Sequence, residues 1–517
     1  MAGQLLLGID VGSYSTKGVL CTPEGEVVAE HVVEHGLDLP RPGWVEQDAD
    51  GVWWGDVVKV CQAIFGGGQH SGADVGAVAV SAIGPCLLPV DGAGRPLRPG
   101  ILYGMDTRAT SEINWLNERF GEDALFELGG MALTSQAIGP KILWLRRNEP
   151  EVFAKAAKLL TASSYLIFRL TGEYVIDRHT GAHSNPLVDI DRLEYDGRFA
   201  APIVELDKLP ALKWSTEVAG TVTATAATET GLVEGTPVTA GTVDAAAEAL
   251  SVGVVAPGDM MVMYGTTMFF ILVTDRPVPD PRMWATGYVL PGTYDVAGGM
   301  ATTGALTRWF RDELGGVELA AERDGGPNAY AALADLAAGV PAGSNGLVCL
   351  PYFAGERTPI NDPDARGVFA GLTLSHTRGH LYRALLEGTA YGVRHNLETL
   401  REMGAMPKRL VAVGGGAQNR LWLQIVSDVT GMAQTVPERT IGAAYGDAFL
   451  AGLATGIIPS LDALTADWVR VATVLEPQPS DRARYEPYYR VYRDLYEHAK
   501  PALHVLARLG QGDSPGG

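Results

Sequence analysis

At 517 residues the chain has room for about two to four domains, and with 46% hydrophobic and 19% charged residues it can build large cores. Forty Lys+Arg against sixty Asp+Glu leave a formal net charge of −20, a field that repels phosphate backbones and anionic lipid and argues against nucleic acid and membrane surfaces as partners. An anionic ligand therefore needs a local seat of backbone amides, cations or metal. The 64 glycines stand well above the usual roughly 7%, as expected where tight turns and phosphate loops are many. Cys21, Cys61, Cys86 and Cys349 form no CxxC pair and no metal-spaced cluster with histidine, which reads as free thiols in a reducing compartment, the cytoplasm. The opening MAGQLLLGID has no basic segment, so no signal peptide is expected. No apolar run approaches the roughly 20 residues of a membrane span.

In chain order, residues 4–19 hold the apolar run LLLGI, the turn DVGSYST and the start of the run KGVLCT, the pattern of a β-hairpin. VGAVAVSAIG and GILYG predict buried strands, and residues 111–120 and 140–148 have helical spacing. TPVTAG predicts a strand feeding an Ala-rich helix from Asp244. Residues 259–273 repeat the opening plan, with MMVMY, the turn GTTM and then FFILVT, about half a chain later, which predicts a duplicated two-domain protein. Residues 298–314 read as a turn feeding a helix, GLVCLPYF as a strand, 380–403 as a long helix, and RLVAVGGG as a strand entering a glycine loop. Helices follow at 419–430 and 442–455. Strands alternating with helices predict an α/β fold. Tyr485, Tyr488, Tyr489, Tyr492 and Tyr496 share one helical face, read as packing, and residues 510–517 are expected to form a frayed, disordered tail.

Three segments carry candidate chemistry. In DVGSYSTK, Gly12, Ser13, Ser15 and Thr16 offer amide and hydroxyl donors to phosphate oxygens, Lys17 adds a point charge, and Asp10 at the strand end is placed to hold Mg²⁺. It is not a Walker A loop, since GxxxxGK[ST] is absent, and an ordinary hairpin turn is the competing reading. Gly265, Thr266 and Thr267 form a matching loop, so two loops from two halves could hold one polyphosphate across a cleft. In VGGGAQNRLW, Gly415, Gly416, Ala417 and Asn419 join a strand to a helix start, a seat for a flat group such as adenosine. Spacing for a dinucleotide fingerprint is missing. Asp244 at a strand-to-helix junction reads equally as a helix cap or as a base facing a substrate hydroxyl. His376 and His380 lack partners for a zinc site.

Together these segments resemble the FGGY carbohydrate kinases over roughly residues 4–505. The long signature GVFAGLTLSHTRGHLYRALLEG, with Gly367, Gly371, Leu372, His380, Ala384 and Glu387, is the most specific part of the likeness. The resemblance implies two duplicated actin-like/ribonuclease H-like α/β domains around a nucleotide and sugar cleft. They are expected at residues 1–250 and 251–480, with a C-terminal helix at 481–509. It implies ATP and Mg²⁺ as cofactors, Asp244 as catalytic base, Asp10 as the metal-linked residue, and Gly304 beside the nucleotide with the two phosphate loops. Gly84, Pro85, Tyr103, Asp106, Arg108, Asp244 and Phe269 would face a small-molecule sugar or polyol, and a homodimer is kept as an option.

The chain departs from the family pattern on the sugar side. Xylulose kinases read GQMHG where this chain has SAIGPC, and glycerol kinases carry Arg-Glu there, so Gly84 and Pro85 stand where polar contacts would be. Trp-Asn-Asp becomes Tyr103-Gly104-Met105-Asp106, and Ala-Ala-Ala follows Asp244. The implied activity is ATP-dependent phosphorylation of a ketose or pentitol, with xylulose and glycerol as poor acceptors. The competing reading is a non-catalytic nucleotide- or sugar-binding regulator on the same fold.

Overall fold

The computed structural model describes residues 4–510. Residues 511–517 of the expected tail lie outside the described residues, and Gly510 ends the last helix. The chain divides into two compact units. The first comprises Met1–Pro257, Val273–Asp295 and Arg439–Arg470, and the second Gly258–Leu272, Val296–Glu438 and Val471–Gly517. Residues 439–470 therefore belong with the first unit, although the sequence reading put them in the domain 251–480.

In the first unit, β1 (Leu5–Val11), β2 (Ser15–Cys21), β3 (Val27–Glu34), β4 (Val75–Ala82), β5 (Val218–Thr221) and β6 (Pro237–Thr239) form a sheet in the order β5-β6-β4-β1-β2-β3, and the short β7 (Thr242–Val243) also pairs with β4. The β1–β2 pair is antiparallel and the β1–β4 pair parallel. Side chains of a strand alternate between faces, and the continuous apolar run of β1 is explained by helices on both. Leu7, Ile9 and Val11 enter a core with Trp53, Val57 and Val60, whereas Leu6 joins Ala444, Ala448 and Phe449. The second set lies on the helix Ala443–Thr455, which explains why residues 439–470 pack here. Gly8 is required by that contact: a Cβ on it would lie 1.8 Å from the Ala444 carbonyl oxygen.

The second unit repeats the plan. Its sheet runs β10-β9-β8-β11-β12-β13, from β8 (Asp259–Tyr264), β9 (Met268–Thr274), β10 (Tyr294–Met300), β11 (Arg409–Val413), β12 (Gln434–Pro437) and β13 (Val471–Leu475). As in the first unit, the opening hairpin β8–β9 is antiparallel and a distant strand, β11, joins its first member in parallel. This is a two-domain α/β fold with an internal duplication. The start of 298–314 is strand β10 rather than a turn, with the helix Gly304–Leu314 following it. In the helix Pro479–Gly510, Tyr485, Tyr489, Tyr492 and Tyr496 are buried and Tyr488 half-buried, packing against Tyr391 and Tyr352. Among the described residues no helix is long and apolar enough to cross a membrane.

Candidate active site

The first unit gathers four carboxylates at the ends of its central strands. Asp10, near the end of β1, lies opposite Lys17 in the antiparallel register and beside Ser81 in the parallel one. The Ser81 hydroxyl is 2.6 Å from Asp447 Oδ2 and 3.1 Å from Asp10 Oδ1, so one proton serves two carboxylates. Asp447 is fully buried, and its Oδ1 has no partner among the described residues. Burial, reinforced by Asp244 and Glu248, holds the Asp10 carboxyl well above the usual range, and burial together with Asp10 does the same to Asp447. Strand β7 aligns Thr242 and Val243 with Ser81 and Ala82, which places Asp244 at the first position of the helix Asp244–Ser251. Asp244 Oδ1 accepts from the Ala245 amide at 2.7 Å, and burial pushes this carboxyl up to about 6. Burial and then the Asp244 charge push Glu248 up to about 7. The nearby cation, Lys17, donates to the Ile441 carbonyl at 2.9 Å and pairs with Glu30 at 3.1 Å.

The first loop is closed by a hydrogen bond from the Gly12 amide to the Ser15 carbonyl. The Ser13 hydroxyl lies 3.2 Å from the Tyr103 hydroxyl, joining the loop to an expected sugar-side residue. Thr16 is a correction: it sits within β2, is fully buried, and its Oγ1 has no partner among the described residues, so its hydroxyl does not face the loop. Gly84 follows β4, and a Cβ on it would meet Val243 Cγ2 at 2.4 Å; Pro85 beside it is buried. Asp106 and Arg108 bond inward. The Arg108 guanidinium donates to Asp106 at 2.7–3.0 Å and to Glu46 at 2.8 Å, and stands 4.0 Å from the Trp44 ring centroid; Asp106 also accepts from the Val45 amide. Phe269 is half-buried on β9, in the second unit, whereas Tyr103, Asp106 and Asp244 belong to the first.

The second unit holds a cavity of about 940 Å³ whose lining includes Gly265, Thr266, Gly304, Gly415, Gly416 and Asn419, all singled out in the sequence; Thr267 and Ala417 do not line it. Its floor is built by close backbone approach. The Gly304 amide donates to the Gly265 carbonyl at 2.9 Å, and a Cβ on Gly304 would lie 2.3 Å from that oxygen. Asn419 caps the helix Arg420–Thr430 by accepting from the Trp422 amide at 3.1 Å. Trp422 forms a wall, edge-on to Tyr264 with centroids 5.2 Å apart and its indole N–H donating to Thr389. Arg308 and Arg420, both exposed and without an ion pair among the described residues, add the positive charge that an anionic ligand of this acidic chain requires.

Sequence reasoning missed Ser81, Asp447, Glu248, Arg308 and Arg420. No short motif marks them, because each reaches its site through strand pairing or helix packing from far along the chain. His376 and His380 are spent locally: His376 Nδ1 accepts from the Thr373 amide, and His380 Nδ1 accepts from the Thr377 amide at the start of the helix Arg378–Glu402. Among the described residues no group of three or more His, Cys, Asp or Glu is spaced to hold a metal ion by itself. A hard cation bound here would draw ligands from phosphate and water as well, as Mg²⁺ ordinarily does. The residues fit such an ion: the donors are carboxylate oxygens, and the buried Asp447 Oδ1 has no partner among the described residues.

Comparison with known proteins agrees with this geometry. Residues 5–251 match the N-terminal domain, and 260–455 the C-terminal domain, of the FGGY family of carbohydrate kinases. The xylulose kinase of Escherichia coli is 31% identical over 504 residues, covering 96% of this chain and 100% of that protein. The gluconokinase of Bacillus subtilis is 30% identical, covering 89% of each. The crystal structure of xylulose kinase from Rhodospirillum rubrum superposes with a TM-score of 0.88 at 33% identity, over 97% of this chain and 100% of that one. With both domain types matched in order and the loops of both units in place, the chain belongs to the FGGY family of carbohydrate kinases and is an ATP-dependent sugar or polyol kinase.

Proposed function

We propose that this kinase transfers the γ-phosphoryl group of ATP to a hydroxyl of a ketose or pentitol, with Asp244 as the base. The observation that carries the reading is Asp244 itself, a half-buried carboxyl raised to about 6 at a strand-to-helix junction whose strand registers with Ser81, as Asp10 does. A base need only orient the hydroxyl and receive its proton late in a loose phosphoryl-transfer transition state, and a carboxyl near 6 is ionised at neutral pH yet basic enough to accept. The acceptor oxygen forms a bond to the γ-phosphorus, the bond from that phosphorus to the β–γ bridging oxygen breaks, and ADP leaves with the electron pair. The acceptor's proton passes to the Asp244 carboxylate.

In the second unit Gly415, Gly416 and Asn419 would seat the adenosine and the amides of Gly265 and Thr266 would hold phosphate oxygens; in the first unit the amides of Gly12 and Ser13 are donors of the same kind. Arg308 and Arg420 would add charge at the nucleotide cavity. Asp10 and Asp447 would hold Mg²⁺, which when bound supplies neutralisation of charge on the phosphates. Four free, buried cysteines support a cytoplasmic setting.

The test is ADP release from ATP and Mg²⁺ over a panel of ketoses, aldoses, pentitols, glycerol and gluconate. A ketose or pentitol should give the highest kcat/KM, with D-xylulose and glycerol well below it. No acceptor-dependent ADP release from any of the panel would sink the reading.

A further inference from the structure

Two histidines outside every sequence motif lie on the element tied to the Asp244 strand. The strand Val175–Asp177 ends in Asp177, whose Oδ2 accepts from the Thr180 amide at 2.9 Å and from Thr242 Oγ1 at 3.1 Å. Thr242 stands two residues before Asp244, and His179 two residues after Asp177. This one carboxylate therefore clamps the turn Arg178–Ala182 to the strand that delivers Asp244. The rings of His179 and His183 meet edge to face with centroids 5.6 Å apart.

Their orientation follows from their partners. A carbonyl oxygen only accepts, so the Gly287 carbonyl, 2.7 Å from His179 Nδ1, and the His179 carbonyl, 3.2 Å from His183 Nδ1, require a proton on each Nδ1. That leaves Nε2 of both rings without a protein partner among the described residues, although His179 is only 4% exposed. Neither Nε2 is among the fully buried unpartnered side-chain atoms, and His183 is half-buried, so both atoms keep access to solvent and are open to a ligand. Burial holds His183 down to about 3, which keeps it neutral and makes its Nε2 a lone-pair acceptor. For His179 burial opposes charge, but Asp295, Asp177 and the Gly287 carbonyl outweigh it and raise the imidazole. The Asp177–Thr242 hydrogen bond, two residues from His179 on one side and two from Asp244 on the other, ties the element bearing His179 to the strand that delivers Asp244.

We infer that His183 and His179 bind hydroxyls of the phosphoryl acceptor beside Asp244 through their Nε2 atoms, and that this acceptor is a neutral ketose or polyol rather than a sugar acid. The inference rests on the kinase reading above and supplies its missing part. Positions 84 and 85 carry no polar side chain, so recognition of the acceptor has to come from elsewhere on this unit. Asp295 Oδ1 lies 3.3 Å from His179 Nδ1, and Asp177 and Asp244 stand on the elements joined at Thr242, an acidic setting that disfavours an anionic sugar. The nearby ammonium of Lys141 donates to the carbonyls of Ser135 and Ala137, which leaves it poorly placed to hold a carboxylate.

The test compares wild type, His183→Ala, His183→Gln and His179→Gln on the best acceptor of the panel. For His183→Ala the acceptor KM should rise about tenfold or more, the loss typical when a substrate hydroxyl loses its partner, while the ATP KM stays within about twofold. His183→Gln, which keeps an acceptor oxygen at similar reach, should recover most of the loss. His179→Gln should raise the acceptor KM as well, and it guards against a folding defect peculiar to position 183. An unchanged acceptor KM in all three variants, or an ATP KM that rises in step, overturns the inference. Calorimetry of acceptor binding without ATP separates it from the kinase reading: wild type that binds a neutral sugar without phosphorylating it sinks the kinase reading alone. Wild type that binds no acceptor, or binds gluconate tighter than every neutral sugar, overturns the inference.

Discussion

Asp244→Asn should remove activity and add stability, and the two effects have separate causes. Asparagine keeps the side-chain oxygen that accepts from the Ala245 amide, so the helix start survives, but it takes no proton from an acceptor. Loss of a general base costs about 10²- to 10⁴-fold in kcat, or about 3–5 kcal/mol of transition-state stabilisation. Stability moves the other way. The Asp244 carboxyl rises from 3.8 to about 6 on folding, which at about 1.4 kcal/mol per pKa unit corresponds to about 3 kcal/mol. For a carboxyl whose folded value is raised, the stabilising contribution is complete below about pH 4 and is lost as pH rises through about 6. At pH 7.5 the wild type has lost that contribution, so the Asn variant should be more stable by about 1–3 kcal/mol, and at pH 4 the difference should vanish. Coupled ADP-release kinetics with the best acceptor, beside denaturant unfolding at both pH values, measure the two effects. The wild-type kcat/KM should also rise through about pH 6 to a plateau. Wild-type turnover by Asp244→Asn would reduce Asp244 to a helix-start residue. Equal stability of the two proteins at pH 7.5 would show that its charge is not burdened by burial.

A Cβ on Gly415 meets nothing within 4 Å, so Gly415→Val should fold normally and weaken nucleotide binding about tenfold by occupying the cavity, as calorimetry with an ATP analogue would show. Gly416→Val should instead lower stability, because its Cβ would lie 2.8 Å from the Trp422 ring and 2.9 Å from Tyr264; normal unfolding would contradict this. Gly304→Ala should raise the ATP KM roughly 5- to 100-fold by forcing the Gly265 carbonyl away, a distortion of about 1–3 kcal/mol, and leave the acceptor Kd unmoved in the same calorimetry. Arg108→Met strands the buried Asp106 carboxylate and should cost about 3–5 kcal/mol of stability with an unchanged acceptor KM; a raised KM in a fully stable variant would return Arg108 to the sugar site.

The hairpins, the strand–helix alternation and the glycine loops were legible in the sequence because each is a local pattern. Apolar runs around a Gly–hydroxyl turn predict β1–β2 and β8–β9, and the strand ending in three glycines predicts the Gly415 loop that lines the cavity of the second unit. Asp244 was legible as a helix start, though cap and base remained equal readings. What the tertiary structure decided was neighbourhood. Thr16 lies in an apparent phosphate loop, yet the register of β2 turns its hydroxyl into the core. Asp106 and Arg108 look like sugar contacts until they are seen bonded to each other under Trp44. Ser81, Asp447 and Glu248 carry no motif, but parallel pairing sets Ser81 beside Asp10, and the glycine contact at Gly8 lets the helix Ala443–Thr455 bring Asp447 to the same hydroxyl. Local periodicity records how a segment folds, whereas burial at a site depends on segments far apart in the chain, and burial is what raises the Asp244 carboxyl.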